Sequence, residues 1–165
     1  MSSSATALGL TGYHWSLFGA GLAAILAGIG SCIGITIAAK LSAGVLSEEP
    51  EKFGGLLVLA ALPGTQGIYG FITAIMVVVL FGLLQKTAIP LAVGSRIFIA
   101  TLPVTINCFV SAIYQGIVSG AGVKAVAKKE DVAGKAIVLP ALVETYAVLS
   151  LIATIFMLLA VRANI

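Results

Sequence analysis

Glu144 is the one carboxylate between Asp131 and the C-terminus, and it interrupts an apolar run that covers about residues 136–161. That run is long enough to cross a bilayer, so the acid falls near the middle of the hydrocarbon. An acidic group at that depth must be protonated, paired or neutralised by a bound cation, which makes an isolated intramembrane Glu a functional site by default. The other five carboxylates, Glu48, Glu49, Glu51, Glu130 and Asp131, all fall in two polar loops.

A second stretch with chemical potential is Leu62-Pro63-Gly64-Thr65-Gln66-Gly67-Ile68-Tyr69-Gly70. Thr65, Gln66 and Tyr69 stand at i, i+1 and i+4, which puts their polar ends on one side of a helix at one depth. Pro63 has no N–H, so the Leu59 carbonyl loses its helical partner and backbone oxygen becomes available beside those side chains. Thr and Gln in membranes often do no more than bond to neighbouring helices. Three polar residues at one depth beside a proline favour a site.

The elements that hold these residues follow from composition. The 165 residues are 60% hydrophobic and 9% charged, with a mean hydropathy of +1.17, whereas soluble domains carry roughly 25% charged residues. The chain is therefore read as an integral membrane protein. Its net charge of +3 comes from scattered bases, not from a basic stripe with interleaved aromatics, so nucleic acid is not expected as a partner. Cys32 and Cys108 lie in apolar runs without metal-ligand spacing and read as two buried, reduced thiols. Residues 1–6 lack the basic start of a cleavable signal peptide, so the first helix is expected to serve as its own insertion signal.

Four spans account for the rest. The first covers about residues 15–46, opened by Tyr13, His14 and Trp15 as an interfacial anchor, and its pairs Gly30/Gly34 and Ala24/Gly28 permit close helix approach. Its glycines have the wrong spacing for a dinucleotide loop. Pro50 suits the start of a second helix over about residues 51–84. A turn through Gln85, Lys86, Thr87 and Pro90 leads to a third helix over about residues 92–127, long enough to project into water. It carries a small face of Ala112, Gly116 and Gly120, the polar Gln115 within Ser111-Ala112-Ile113-Tyr114-Gln115-Gly116, and Asn107 and Pro103, which are assigned to packing and a kink. A second polar loop, residues 124–135, precedes the last helix. Lys40, Lys52, Lys124, Lys128, Lys129 and Lys135 gather toward the loops, against Lys86, Arg96 and Arg162 toward the other side. That bias predicts cytoplasmic loops near 46–53 and 124–135, with both termini outside.

The two halves are copies. Residues 62–70 laid on residues 139–147, an offset of 77, match at Leu, Pro and Tyr, and place Glu144 opposite Gly67. Pro50-Glu51 matches Glu130-Asp131 only at an offset of 80, so the second loop-to-helix segment is three residues shorter. This pattern predicts an all-α membrane fold of four transmembrane helices in two tandem hairpins, residues 1–86 and 87–165, with the carboxylate kept only in the second.

That doubled hairpin, with the segments PGTQGIYGF, AKKED and LPALVETYAVL, resembles the proteolipid (K, or c) subunit of V-type and A/V-type rotary ATPases, most of all the bacterial sodium-type members. The resemblance covers nearly the whole chain. It implies identical copies in a rotor ring that turns in the membrane against a stator subunit bearing an arginine, with central-stalk subunits meeting the cytoplasmic loops. It also implies the ligands of Na⁺: the Glu144 carboxylate, the Thr65 hydroxyl, the side-chain oxygens of Gln66 and Gln115, and the Leu62 carbonyl, with Tyr69 holding Glu144 closed.

A hard cation prefers several oxygens, and one carboxylate with one monovalent cation is neutral, whereas a proton needs far fewer neighbours. Na⁺ is therefore favoured, with H⁺ the alternative in the same role. No G-x-x-x-x-G-K-[ST] motif occurs, so the chain is not expected to be an enzyme and ATP chemistry is left to partners. A different class of reading, a small proton-coupled secondary exporter, wants an aromatic-lined cavity around Glu144, where only Tyr69 and Tyr146 lie near. A structural scaffold would leave Glu144 without a use.

Overall fold

A computed structural model describes residues 10–85 and 88–165. It contains α1 (Gly12–Glu48), α2 (Phe53–Ala61), α3 (Thr65–Leu80), α4 (Leu91–Lys128), α5 (Ala133–Ala136) and α6 (Val138–Ala163). These make four helical segments long and apolar enough to span a membrane: Gly12–Glu48, Pro50–Leu80, Leu91–Lys128 and Glu130–Ala163. Residues 1–6, Lys86 and Thr87, which bear on the insertion signal, the charge bias and the boundary between hairpins, lie outside the described residues.

The hairpins pack through their small residues. A Cβ on Gly30 would lie 2.6 Å from the Phe109 carbonyl oxygen, Gly34 sits against the Ala112 carbonyl, and Gly116 lies directly on the Gly34 backbone. Only glycine permits so close a crossing of α1 and α4, where dispersion between backbones replaces the hydrophobic effect that lipid does not supply. The expected Ala24/Gly28 pair is not part of this face, because Gly28 has open space where a Cβ would point. The buried stripe runs one residue earlier, through Ala23 and Ala27, against which Gly70 of α3 packs. Spacings of four and three from Ala23 through Ala27, Gly30 and Gly34 keep that stripe on one helix face. Away from these contacts α3 and α6 present Phe71, Val79, Leu149 and Phe156, each at least 60% exposed, as a lipid-compatible surface.

Pro63 breaks the second span, and the fourth is interrupted at Ile137, three residues before Pro140. Leu62–Gly64 is a 3₁₀ turn between α2 and α3 around Pro63, so the expected second helix is two helices with a tightened joint. It also ends at Leu80 and not near residue 84, because Gly82 takes a φ of 61° and stops the helix in the left-handed region. The polar loop expected over residues 124–135 is mostly helical: α4 continues to Lys128, and Glu130–Val132 is a 3₁₀ turn that enters α5. Lys124 and Lys128, one turn apart, belong to a helical overhang whose charge run reads as loop in the sequence. Lys52 joins the two loop ends. It is 7% exposed, with Nζ 2.6 Å from Glu49 Oε2 and donating to the Ala127 carbonyl at 2.8 Å.

Cys108 is buried as expected, but Cys32 is exposed on the chain's own surface. Cys32 occupies a face of α1 that neither α3 nor α4 covers, a distinction that an all-apolar helix hides from sequence reading. Asn107 is used in packing, its Nδ2 donating to the Tyr146 carbonyl at 2.7 Å; Pro103 lies inside α4, and the Val104 N–H that follows it donates to Thr154 Oγ1 at 3.3 Å. His14 Nδ1 accepts from the Thr11 N–H at 3.2 Å at the start of α1.

Candidate ion-binding site

The 3₁₀ turn brings the Leu62 carbonyl to the side chain that follows it. Thr65 Oγ1 donates to the Leu62 oxygen at 3.1 Å and lies 3.3 Å from Gln66 Oε1. Gln66 is fully buried and its Nε2 donates to Gln115 Oε1 across the interface of α3 and α4. Gln115, also fully buried, donates from Nε2 to Glu144 Oε2 at 3.3 Å. Tyr69 closes the other end, its hydroxyl donating to Glu144 Oε1 at 2.9 Å. Leu62, Thr65, Gln66, Gln115, Glu144 and Tyr69 therefore lie along one connected polar path. It runs between the second and fourth spans with α4 behind, and all six residues singled out in the sequence are on it.

The orientation of the Gln115 amide decides the electrostatics. Its Nε2 also donates to the Pro140 carbonyl at 3.1 Å. Turning the amide over would set oxygen against that carbonyl oxygen, so Pro140 holds the –NH₂ toward Glu144. Both oxygens of Glu144 thus accept from donors, one phenolic and one amide. The amide donor is fixed in direction, whereas the Tyr69 phenol is able to donate to a carboxylate or accept from a carboxyl, so the same pair of contacts holds the Glu144 side chain in place in either form. Among the described residues no three His, Cys, Asp or Glu side chains come together. The site therefore offers a single carboxyl group among neutral oxygens.

Ser111 joins the site without having been singled out by sequence reasoning. Its hydroxyl donates to the Val143 carbonyl at 3.2 Å and accepts from Gln66 Nε2 at 3.4 Å, which orients Gln66 from behind. The available signal is its position four residues before Gln115, on the same face of α4. The counterpart position in the first half is filled differently. There the Gly67 N–H donates to Ser31 Oγ at 2.8 Å, and a Cβ on Gly67 would meet Ser31 Oγ at 3.2 Å and Ser31 Cβ at 3.3 Å. A side chain at the residue opposite Glu144 in the repeat would thus crowd Ser31 of α1.

Glu144 is half-buried, flanked by the exposed side chains of Leu142 and Tyr146 on its own helix. Tyr146 is 65% exposed and Tyr69 meets the acid through its hydroxyl, so among the described residues no aromatic box of the kind an organic-cation exporter would use surrounds the carboxylate.

Comparison with known proteins gives one match in each hairpin. The family model of the ATP synthase C subunit matches residues 18–77 and again residues 98–157. The chain is similar to the A-type ATP synthase subunit K of Methanocaldococcus jannaschii, with 44% identity over 143 residues, 87% of this chain and 61% of that protein. It is also similar to the V-type sodium ATPase subunit K of Enterococcus hirae, with 37% identity over 137 residues, 83% of this chain and 85% of that protein. The chain thus spans 61% of the length of the first relative and 85% of the second.

Proposed function

The chain belongs to the family of the ATP synthase C subunit, and from that premise we propose that it is one copy of a membrane rotor ring that carries Na⁺ on Glu144. Movement of the ion is coupled to ATP hydrolysis or synthesis on partner subunits, and this chain is itself non-catalytic. The observation that carries this reading is the carboxylate of Glu144 held between the Tyr69 hydroxyl and the Gln115 amide. The Leu62, Thr65 and Gln66 oxygens continue the polar path from there.

In this reading Na⁺ is held by the Glu144 carboxylate, Thr65 Oγ1, Gln66 and Gln115 Oε1 and the Leu62 carbonyl. Each oxygen replaces part of the ion's hydration, and the carboxylate cancels its charge, so the loaded site faces lipid as a neutral unit. Tyr69 acts as the latch. Near a stator arginine the empty carboxylate is favoured and the ion departs. The membrane potential supplies about 2.3 kcal/mol per charge per 100 mV, so several ions balance one ATP. Na⁺ is favoured over H⁺ by the several oxygens gathered along the path to Glu144 and by the Enterococcus hirae relative's description as a sodium ATPase subunit.

The first hairpin, residues 1–86, serves as a spacer without a carboxylate, and the second, residues 87–165, as the carrier. Identical copies complete the ring, the loop ends joined by Lys52 meet a central stalk in the cytoplasm, and the termini lie outside. Replacing Glu144 with Gln in the assembled complex is expected to abolish ion-coupled ATP turnover. Coupled turnover equal to that of the unsubstituted complex contradicts the proposal.

A further inference from the structure

Ser119 lies on α4 one turn beyond Gln115 toward the loop side. It is fully buried, and its Oγ is the one buried side-chain oxygen or nitrogen among the described residues with no hydrogen-bond partner. A hydroxyl removed from water without a partner is costly, which calls for a reason beyond packing.

Its surroundings supply one. On α4, Gln115 meets Gln66 and the Pro140 carbonyl, while Gly122 packs against Leu59 and Ala136, at 3.0 and 3.5 Å for an added Cβ. The second span runs antiparallel to α4 in the register that pairs 66 with 115 and 59 with 122. Ser119 therefore stands level with Leu62, inside the 3₁₀ turn. The fourth span, pairing 140 with 115 and 136 with 122, brings the break at Ile137 to the same level. At this level proline removes an amide from each of these two spans: Pro63 leaves the Leu59 carbonyl without its helical partner and Pro140 does the same to Ala136. Both carbonyls are directed along their helices toward the level of Ser119.

We propose that Ser119 holds one buried water that bridges its hydroxyl to the carbonyls of Leu59 and Ala136. Three partners are the usual complement of an internal water. Toward the loop side of Ser119 the buried side chains Leu56, Leu59, Val123, Val126 and Ala136 form an apolar cluster that holds no charge, so a neutral ligand fits beside it better than a cation. The water ties both proline-broken turns to α4 directly below the oxygens of Leu62 and Pro140. It is a positioning element for the ion site and depends on backbone geometry, not on the identity of the ion.

The test uses the native assembly purified from membranes. Water-edited solid-state NMR with labelled serine, assigned by difference against Ser119→Ala, is expected to show an immobilised water at the Ser119 Cβ, equally with and without Na⁺. Absence of that signal in both conditions overturns the proposal and leaves the Na⁺ reading untouched. Thermal dissociation gives an independent sign. Removing a hydroxyl that holds a bridging water lowers the transition temperature, whereas removing one that is merely unpaired raises it. A raised temperature for Ser119→Ala is therefore the second result that overturns the assignment, and retention of the unsubstituted temperature by Ser119→Thr, which keeps the hydroxyl, supports it.

Discussion

The side-chain amide of Gln115 donates to the Pro140 carbonyl at 3.1 Å and to the Glu144 carboxylate at 3.3 Å. One residue on α4 thereby reads two positions four residues apart on the fourth span. The proline that breaks the helix also aims the donor at the acid. Replacing Gln115 with Leu takes the amide donor from Glu144 Oε2 and from the Pro140 carbonyl, and leaves Gln66 Nε2 with Ser111 Oγ alone. A hydrogen bond to a charged group contributes about 1.5–3 kcal/mol, so Na⁺ affinity is expected to fall about tenfold to a hundredfold. Equilibrium ²²Na⁺ binding to the purified assembly measures it, and an unchanged affinity removes Gln115 from the site.

Tyr69→Phe deletes a hydroxyl and little else. The ring stays packed, but Glu144 Oε1 loses its 2.9 Å donor and the carboxylate is freer to swing outward. The expected effect is kinetic: ²²Na⁺ exchange accelerates by about tenfold or more, because the latch contributes a charge-assisted bond. Identical exchange rates in the two proteins contradict a latch at this position.

Much of this site is legible in the sequence because its residues are chemically out of place. A carboxylate, two glutamines and a proline in apolar spans have few alternative explanations, and the repeat exposes Glu144 by placing Gly67 opposite it. Packing is less legible. Apolarity surrounds α1 on all sides, so no pattern distinguishes Ala23/Ala27 from Ala24/Gly28, or the exposed Cys32 from the buried Cys108. Ser111 and Ser119 do not stand out because serine is common in membrane helices; only their i±4 relation to Gln115 marks them. The polar stretch over residues 124–135 suggests loop, but charges on a helical overhang in water carry the same composition.

Gly34 and Gly116 meet backbone to backbone where α1 crosses α4. Gly116→Leu forces the two helices apart by more than side-chain rearrangement can absorb, and overpacking of this kind costs about 1–3 kcal/mol or more. Loss of the assembled ring on detergent gels is expected, whereas Gly28→Leu leaves the chain's own packing intact because that position faces open space. Equal effects on the monomer's helix packing, followed by thermal melts of the solubilised chain, contradict this crossing.

Lys52 ties the two loop ends, bonding to Glu49 and to the Ala127 carbonyl in the last turn of α4. Lys52→Met keeps the buried stem and removes the donor. The Ala127 carbonyl then loses a charged partner, a change of about 1–3 kcal/mol. A lower dissociation temperature with unaltered Na⁺ affinity is expected, since the tie lies far along the helices from Glu144. A change in affinity without a change in stability contradicts the assignment of Lys52 as a tie.

Carbodiimide modification of Glu144 addresses Na⁺ carriage most directly, because the reagent needs a protonated, accessible carboxyl. At alkaline pH, Na⁺ is expected to slow labelling of Glu144 in a concentration-dependent way, while choline at equal ionic strength leaves the rate unchanged and lowering the pH restores labelling by competition. A labelling rate indifferent to Na⁺ across that range contradicts the account and assigns the site to protons.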